Sequence, residues 1–163
     1  MFAQVFLTTP PSPLDLVIGV DIVLQLVAPV SQGSEKSALK WMKDSIKPEG
    51  FLLLELWSFE NIINQLDACN GNLKIWEEYQ IDDPWEFCLA NITRMKNNDI
   101  KWDKTFLKRG STQKSSFTNI LRPYSQKAIK QKLMENGFTR IKFFNYWSQP
   151  GDCSEGEYIV LAQ

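Results

Sequence analysis

The chain has 163 residues, 44% of them hydrophobic and 23% charged, with a formal net charge of -1. That is enough for one domain with a core, and it argues against a chain that binds polyanions over its whole surface. It contains no histidine, which removes the commonest general base and metal ligand and excludes a His-activated Ser or Cys nucleophile. Cys69, Cys88 and Cys153 are odd in number and far apart, so neither a disulfide framework nor a zinc site is expected, and a reducing cytoplasm fits best.

The first thirty residues are apolar but lack a basic leader, and Pro10, Pro11, Pro13, Asp15 and Asp21 interrupt them, so no signal peptide is read there. No run reaches the roughly 18–20 apolar residues that span a bilayer, and no membrane partner is expected. Phe2 to Leu7 is a candidate strand. Leu14-Asp15-Leu16-Val17-Ile18-Gly19-Val20 reads as a buried strand, short, apolar, preceded by prolines and followed by a turn region. Ser34 is the expected N-cap of a helix whose buried face is Ala38, Leu39, Met42 and Ile46, stopped by Pro48. Gly50 then turns the chain into Phe51-Leu52-Leu53-Leu54-Glu55-Leu56, a second central strand. Strand, helix, strand is the crossover unit of a parallel sheet.

The middle of the chain has a different pattern. After a short helix over Asn61 to Leu66 and an Asn70-Gly71-Asn72 turn, strands are expected at Leu73 to Ile81, Phe87 to Lys96, Ile100 to Lys108 and Ser116 to Arg122. Asp82-Asp83-Pro84, Asn97-Asn98-Asp99 and Arg109-Gly110-Ser111 join them. Connections this short make antiparallel neighbours, and Trp102, Lys104, Phe106 and Lys108 share one face. Ser125 caps a last helix with Ile129 and Leu133 on its buried face and Gly137 at its C-terminus. Phe138 to Trp147 and Glu157 to Ala162 follow as strands of a closing hairpin, separated by a break at Pro150-Gly151-Asp152.

Charge is uneven along the chain. Met1 to Thr93 holds five Lys/Arg against thirteen Asp/Glu, and Arg94 to Lys142 holds thirteen against three. The expectation is that the two blocks pair within the fold. A basic face for nucleic acid is the alternative reading of the same block.

Three pieces carry a resemblance. Asp15-Leu16-Val17-Ile18-Gly19, the Ser34 helix, then Ile46-Lys47-Pro48-Glu49-Gly50 and Phe51 to Leu56 look like the fourth strand, following helix and fifth strand of Rossmann-like S-adenosylmethionine-dependent methyltransferases. Pro123-Tyr124-Ser125, a helix and Asn136-Gly137-Phe138 resemble that family's last helix and the entry to its sixth strand. Glu157 to Ala162 is similar to its seventh strand. Asp83-Pro84-Trp85 and Arg122-Pro123-Tyr124 point to the small-molecule members. The resemblance covers most of the chain from Leu14 onward.

The implied fold is α/β: a partial Rossmann-like methyltransferase sheet in a single domain, residues 1–163, with an inserted antiparallel β-meander, 73–122, that covers the substrate. The implied cofactor is S-adenosylmethionine and the implied partner a small-molecule substrate. Gly19 and Val20 would border the methionine end of the cofactor, and Asp21 is the nearest carboxylate able to act as a base. Trp57, Tyr79, Trp85, Arg122 and Tyr124 are the candidate substrate contacts, each of them also readable as packing or ion pairing. The family's first strand and glycine loop would lie about half a domain before Asp15, whereas thirteen residues precede Leu14. The chain is therefore expected to carry the C-terminal part of such a domain, to bind the cofactor weakly alone, and to associate with itself or with a partner chain. A non-catalytic remnant or interaction module is the second reading, and a basic nucleic-acid-binding module the third.

Overall fold

A computed structural model describes residues 13–145, 149–150 and 156–163. The candidate strand at Phe2 to Leu7, together with Trp147, Gly151, Asp152 and Cys153, lies outside the described residues. The chain divides into two compact units, Met1–Asn61 with Arg122–Gln163, and Ile62–Leu121.

In the first unit β1 (Leu14–Gly19) runs parallel to β2 (Ile46–Trp57). A five-residue α1 (Val23–Val27) and α2 (Ser34–Asp44) cross between them. The crossover read from the sequence is present, but its boundaries differ. The N-cap of α2 is Gly33, left-handed at φ 90, and no side chain caps the helix. Ser34 is already helical, and its hydroxyl shares a hydrogen bond with Ser31. The helix ends at Asp44 rather than at Pro48, and Ile46 opens β2 instead of closing the helical face. Between Leu14 and Leu16 the β1–β2 register jumps from Ile46 to Phe51. At that irregularity a Cβ on Gly50 would sit 2.8 Å from Asp15 O and 2.9 Å from Leu14 O, so backbone crowding requires the glycine.

The last helix, α4 (Gln126–Glu135), is capped as its sequence indicates. Ser125 Oγ accepts from the Ala128 N–H at 3.2 Å, and Gly137, at φ 86, leads out of the helix. Next come β7 (Ile141–Asn145), a two-residue β8 (Gln149–Pro150) and β9 (Glu157–Ala162). β9 lies antiparallel between β2 and β7, and β8 extends β7's far side. This gives the sheet order β1-β2-β9-β7-β8.

The three helices of this unit bury their apolar residues against one face of the sheet. Leu24 and Val27, Ala38, Leu39 and Met42, and Ile129 and Leu133 form one core with Val17, Leu52, Leu54, Leu56, Tyr158, Val160 and Ala162. On β1 the intervening residues Leu14, Leu16 and Ile18 point the other way and are exposed, and so is Phe51, the partner of Leu16.

The second unit takes in most of α3 (Glu60–Ala68) and the whole of an antiparallel meander: β3 (Asn72–Glu78), β4 (Trp85–Arg94), β5 (Ile100–Lys108) and β6 (Lys114–Leu121), in that order. Asn70 and Gly71 are left-handed at φ 52 and 80, as the turn between α3 and β3 demands. Arg94 ties α3 to the sheet, with Nη1 2.6 Å from Asp67 Oδ1 and Nη2 donating to the Ile63 carbonyl. Cys88, Ala90, Ile92, Ile100 and Leu121 are buried, all with side chains on one face of the meander.

Candidate functional site

Ligands of open α/β sheets bind beyond the carboxyl ends of the strands, so the C-terminal ends of β1 and β2 are the place to build from. β1 ends at Gly19. A Cβ there would meet the Leu54 side chain at 2.8 Å and Val23 at 3.0 Å, so this glycine is set by packing in the sheet. Val20 follows, 47% exposed. Asp21 and Ile22 are then both left-handed, at φ 56 and 53. For a β-branched residue such as Ile22 this is a strained conformation. The Glu55 carboxylate, near the end of β2, accepts the Asp21 N–H at 2.8 Å and helps hold the turn. The Asp21 side chain is exposed.

Behind this turn lies Gln25 in α1, fully buried. Its amide spans the Trp57 peptide: Nε2 donates to the Trp57 carbonyl at 3.0 Å, and Oε1 accepts the Trp57 N–H at 2.8 Å. Its own carbonyl accepts the Arg122 N–H at 2.9 Å. This one residue, through its side chain and its backbone, thus ties α1, the end of β2 and the segment before α4 together. The Trp57 indole N–H donates to Glu157 Oε1 at 2.9 Å, and its ring meets Phe59 edge-on with centroids 5.9 Å apart.

Glu35, in the first turn of α2, is a second buried node. It accepts the Tyr124 hydroxyl and the Lys132 ammonium, and Arg122 Nη1 lies 3.7 Å away. Tyr124 is 5% exposed, and its hydroxyl is directed at Glu35. Arg122 and Tyr124 thus meet an acid of the N-terminal block, the ion-pairing alternative read from the sequence.

The second unit holds Tyr79 and Trp85. Both lie beside Phe106, at centroid distances of 6.0 and 5.6 Å, and Phe106 stacks on Phe117 at 5.6 Å. Asp83 Oδ1 accepts the Trp85 N–H at 2.8 Å. Arg109 organises the β3–β4 connection, its guanidinium donating to the carbonyls of Tyr79, Gln80, Asp83 and Trp85 at 2.9–3.2 Å. The Tyr79 hydroxyl donates to Glu77 at 3.3 Å. Burial, and after it the Glu77 charge, push its pKa above the ordinary tyrosine value. The Cys88 thiol is pushed up chiefly by burial, away from the thiolate form that reacts.

The structure therefore gathers Gly19, Val20, Asp21, Trp57, Arg122 and Tyr124 in the first unit through Gln25, Glu35 and Glu55, and joins Tyr79 to Trp85 through Phe106 and Arg109 in the second. Gln25, Glu35 and Arg109 were not among the residues singled out from the sequence. The signal for Gln25 was there, as the one polar residue in Val23-Leu24-Gln25-Leu26-Val27. Among the described residues no cluster of acids and cysteines is arranged to hold a metal ion, and no helix is long and apolar enough to cross a membrane.

No family model and no curated protein matches the chain. Solved structures do. An S-adenosylmethionine-dependent methyltransferase from Clostridium acetobutylicum superposes with a TM-score of 0.72 at 14% identity, over 94% of this chain and 59% of its own. The CcbJ methyltransferase from Streptomyces caelestis gives 0.74 at 10% identity, over 94% and 58%. CalS10, an amino pentose methyltransferase from Micromonospora echinaspora, gives 0.65 at 13% identity, over 94% and 60%. The chain spans about three fifths of the length of these structures. The resemblance read from the sequence holds at the level of fold: the architecture is a partial Rossmann-like methyltransferase sheet accompanied by an antiparallel meander.

Proposed function

We propose that this chain supplies the acceptor-side part of an S-adenosylmethionine-dependent methyltransferase acting on a small molecule. The observation that carries this reading is the fold match over 94% of the chain to three methyltransferases, joined to a strained, hydrogen-bonded turn at the strand ends where such a site lies.

The residues present fit one edge of a cofactor site and not the whole of it. Val20, Asp21 and Glu55 stand at the strand ends, but nowhere in the 163 residues are two glycines separated by a single residue, the spacing with which a phosphate- or adenosyl-cradling turn begins. Methyl transfer needs chiefly the alignment of nucleophile and methyl group. In this reading the chain's contribution is positional. Glu55 and Gln25 hold the Val20-Asp21-Ile22 backbone, Asp21 offers a carboxylate to a proton leaving the acceptor, and Trp57 edges the acceptor space. Tyr79 and Trp85 supply aromatic surface for an apolar or cationic group. The three widely spaced cysteines support placing the reaction in a reducing cytoplasm.

Calorimetry with S-adenosylmethionine tests the division of labour. The full chain alone should give no saturable heat in the micromolar range. Charge-assisted hydrogen bonds contribute about 1.5–3 kcal/mol each, and lacking two or three of them weakens a micromolar site by several factors of ten. A one-to-one complex with a low-micromolar dissociation constant would show that a complete cofactor site lies within these residues.

A further inference from the structure

One end of the meander carries an aromatic frame that is only partly covered. Pairing across β3, β4 and β5 sets Glu77, Cys88 and Phe106 in one row on one face. Phe117, opposite Lys104, stands on the same face in the next row. Phe106 is the centre of the frame: the Trp85 and Phe117 ring centroids each lie 5.6 Å from its own, and that of Tyr79 6.0 Å. Tyr79, Trp85 and Phe106 are half-buried and Phe117 is 42% exposed. The charges at the frame are acidic. The Tyr79 hydroxyl donates to Glu77, and Asp83 leads the chain into β4. Among the described residues no Lys or Arg lies within ion-pairing distance of either acid. Burial raises the Tyr79 pKa most, and the Glu77 and Asp83 charges raise it further, which marks a negative field at that ring. Two bases beside the frame are engaged elsewhere. Arg109 donates to four backbone carbonyls. The Lys104 ammonium rests 4.5 Å from the Trp102 ring centroid, along β5 and away from Phe106. A third, Lys108 at the end of β5, is exposed to solvent, where salt screens its charge.

We propose that this frame binds an organic ammonium group, its positive charge set against the rings of Tyr79, Trp85 and Phe106 with Glu77 as its counter-charge. In terms of the function proposed above, on which this role of the ligand rests, the ammonium is the recognition handle of the methyl acceptor. Charge complementarity selects the occupant. The face of an aromatic ring is negative and attracts a cation within about 6 Å of its centroid. A neutral apolar group would use the rings but desolvate Glu77 without giving it a partner. An anion would meet Glu77 and Asp83 as like charges. Lys104 on Trp102 is the same kind of contact, made once already on this face from within the chain. Cys88, in the row between Glu77 and Phe106, is kept from the thiolate form by burial and adds no charge there.

Amide nuclear magnetic resonance of the full chain, titrated with choline at matched ionic strength, reads the outcome. The comparison ligand is choline's neutral isostere, the alcohol in which carbon replaces the ammonium nitrogen. Choline should shift the amides of Glu77 to Tyr79, Trp85 to Cys88 and Phe106, with a dissociation constant of about 1–10 millimolar, as suits a cation on partly exposed rings. The alcohol should bind at least about 10-fold more weakly. Glu77→Gln still accepts the Tyr79 hydroxyl and should weaken choline about 2–5-fold. Phe106→Leu should weaken it at least about 10-fold. Trp76→Leu, on the opposite face of β3, should leave it unchanged. Circular dichroism establishes that Phe106→Leu is folded; if it is not, Glu77→Gln and the neutral alcohol decide. An equal response to choline and the alcohol, shifts that spare the frame, a response indifferent to the frame variants, or none at about 50 millimolar choline would each overturn the proposal. The titration uses no S-adenosyl ligand and reads the second unit. A chain that binds choline here but shows no response to S-adenosylhomocysteine would count against the methyltransferase reading alone, and the reverse pattern would strike the ammonium site alone.

Discussion

Gln25 and Glu35 show how two polar side chains in a buried layer decide the geometry around them. Gln25 is isolated among apolar neighbours in α1, where burial without partners would cost about 1–3 kcal/mol, and it meets that cost by spanning the Trp57 peptide. Gln25→Leu keeps the volume and removes both bonds. It should lower unfolding stability by about 2 kcal/mol in urea titration and broaden the amide resonance of Trp57. A change below about 0.5 kcal/mol would mean that Trp57 finds other partners without strain. Glu35 compensates Lys132 and Arg122, whose side chains are 34% and 33% exposed. Glu35→Gln can still accept the Tyr124 hydroxyl but leaves two cations without their acid. Because those cations are partly solvated, the expected loss is about 1–3 kcal/mol, below that for a fully buried pair, read by thermal or urea unfolding. In sequence terms Glu35 is only an acid in the first turn of a helix, where acids are favoured. Its role as a node depends on Tyr124 and Lys132, 89 and 97 positions away, and no local pattern announces a partner that distant.

At the scale of elements, apolar runs and turn residues were enough where the structure follows local rules. β5 and β9 have the expected limits, Ser125 caps α4, and β1 and β2 are parallel with a helix between them. Elsewhere tertiary packing overrides local preference. Gly33 takes the cap position that Ser34 was expected to fill, because the chain enters α2 through a left-handed residue. The five-residue α1 was read as turn, being too short to show a helical period. Gly50 was legible as a turn residue, but the reason it must be glycine is the backbone of β1 across the irregularity. Gly50→Ala should cost about 1–3 kcal/mol, since two of the atoms it would strike are carbonyl oxygens of the neighbouring strand and cannot turn aside. Equal stability of Gly50→Ala and wild type in urea would show that this stretch of β2 is free to shift.

Arg109, read as part of a turn, holds four carbonyls that a lysine cannot span together. Arg109→Lys should loosen the β3–β4 connection, raising amide exchange at Tyr79 to Trp85 while β6 stays protected. The same region has a pH signature. Tyr79 has its folded pKa raised, so its contribution is fully present below the ordinary tyrosine value of about 10 and is lost as pH rises beyond it. Tyr79→Phe should therefore flatten the alkaline limb of the stability profile while leaving neutral pH nearly unchanged.

Over the whole molecule, the uneven charge along the sequence is partly resolved by pairing. Asp67 with Arg94, and Glu35 with Lys132 and Arg122, each join an acidic-block residue to a basic-block residue. The sheet of the first unit is apolar on both faces yet receives its helices on one, in a chain that spans about three fifths of the structures sharing its fold. Both features agree with the proposal of an acceptor-side part with one edge of a cofactor site at the ends of β1 and β2. Titration of isotope-labelled chain with S-adenosylhomocysteine, followed by amide nuclear magnetic resonance, tests this most directly. The account predicts shifts concentrated at Gly19 to Ile22 and Glu55 to Trp57, saturating in the millimolar range. Shifts confined to other segments, or none at millimolar ligand, would contradict it.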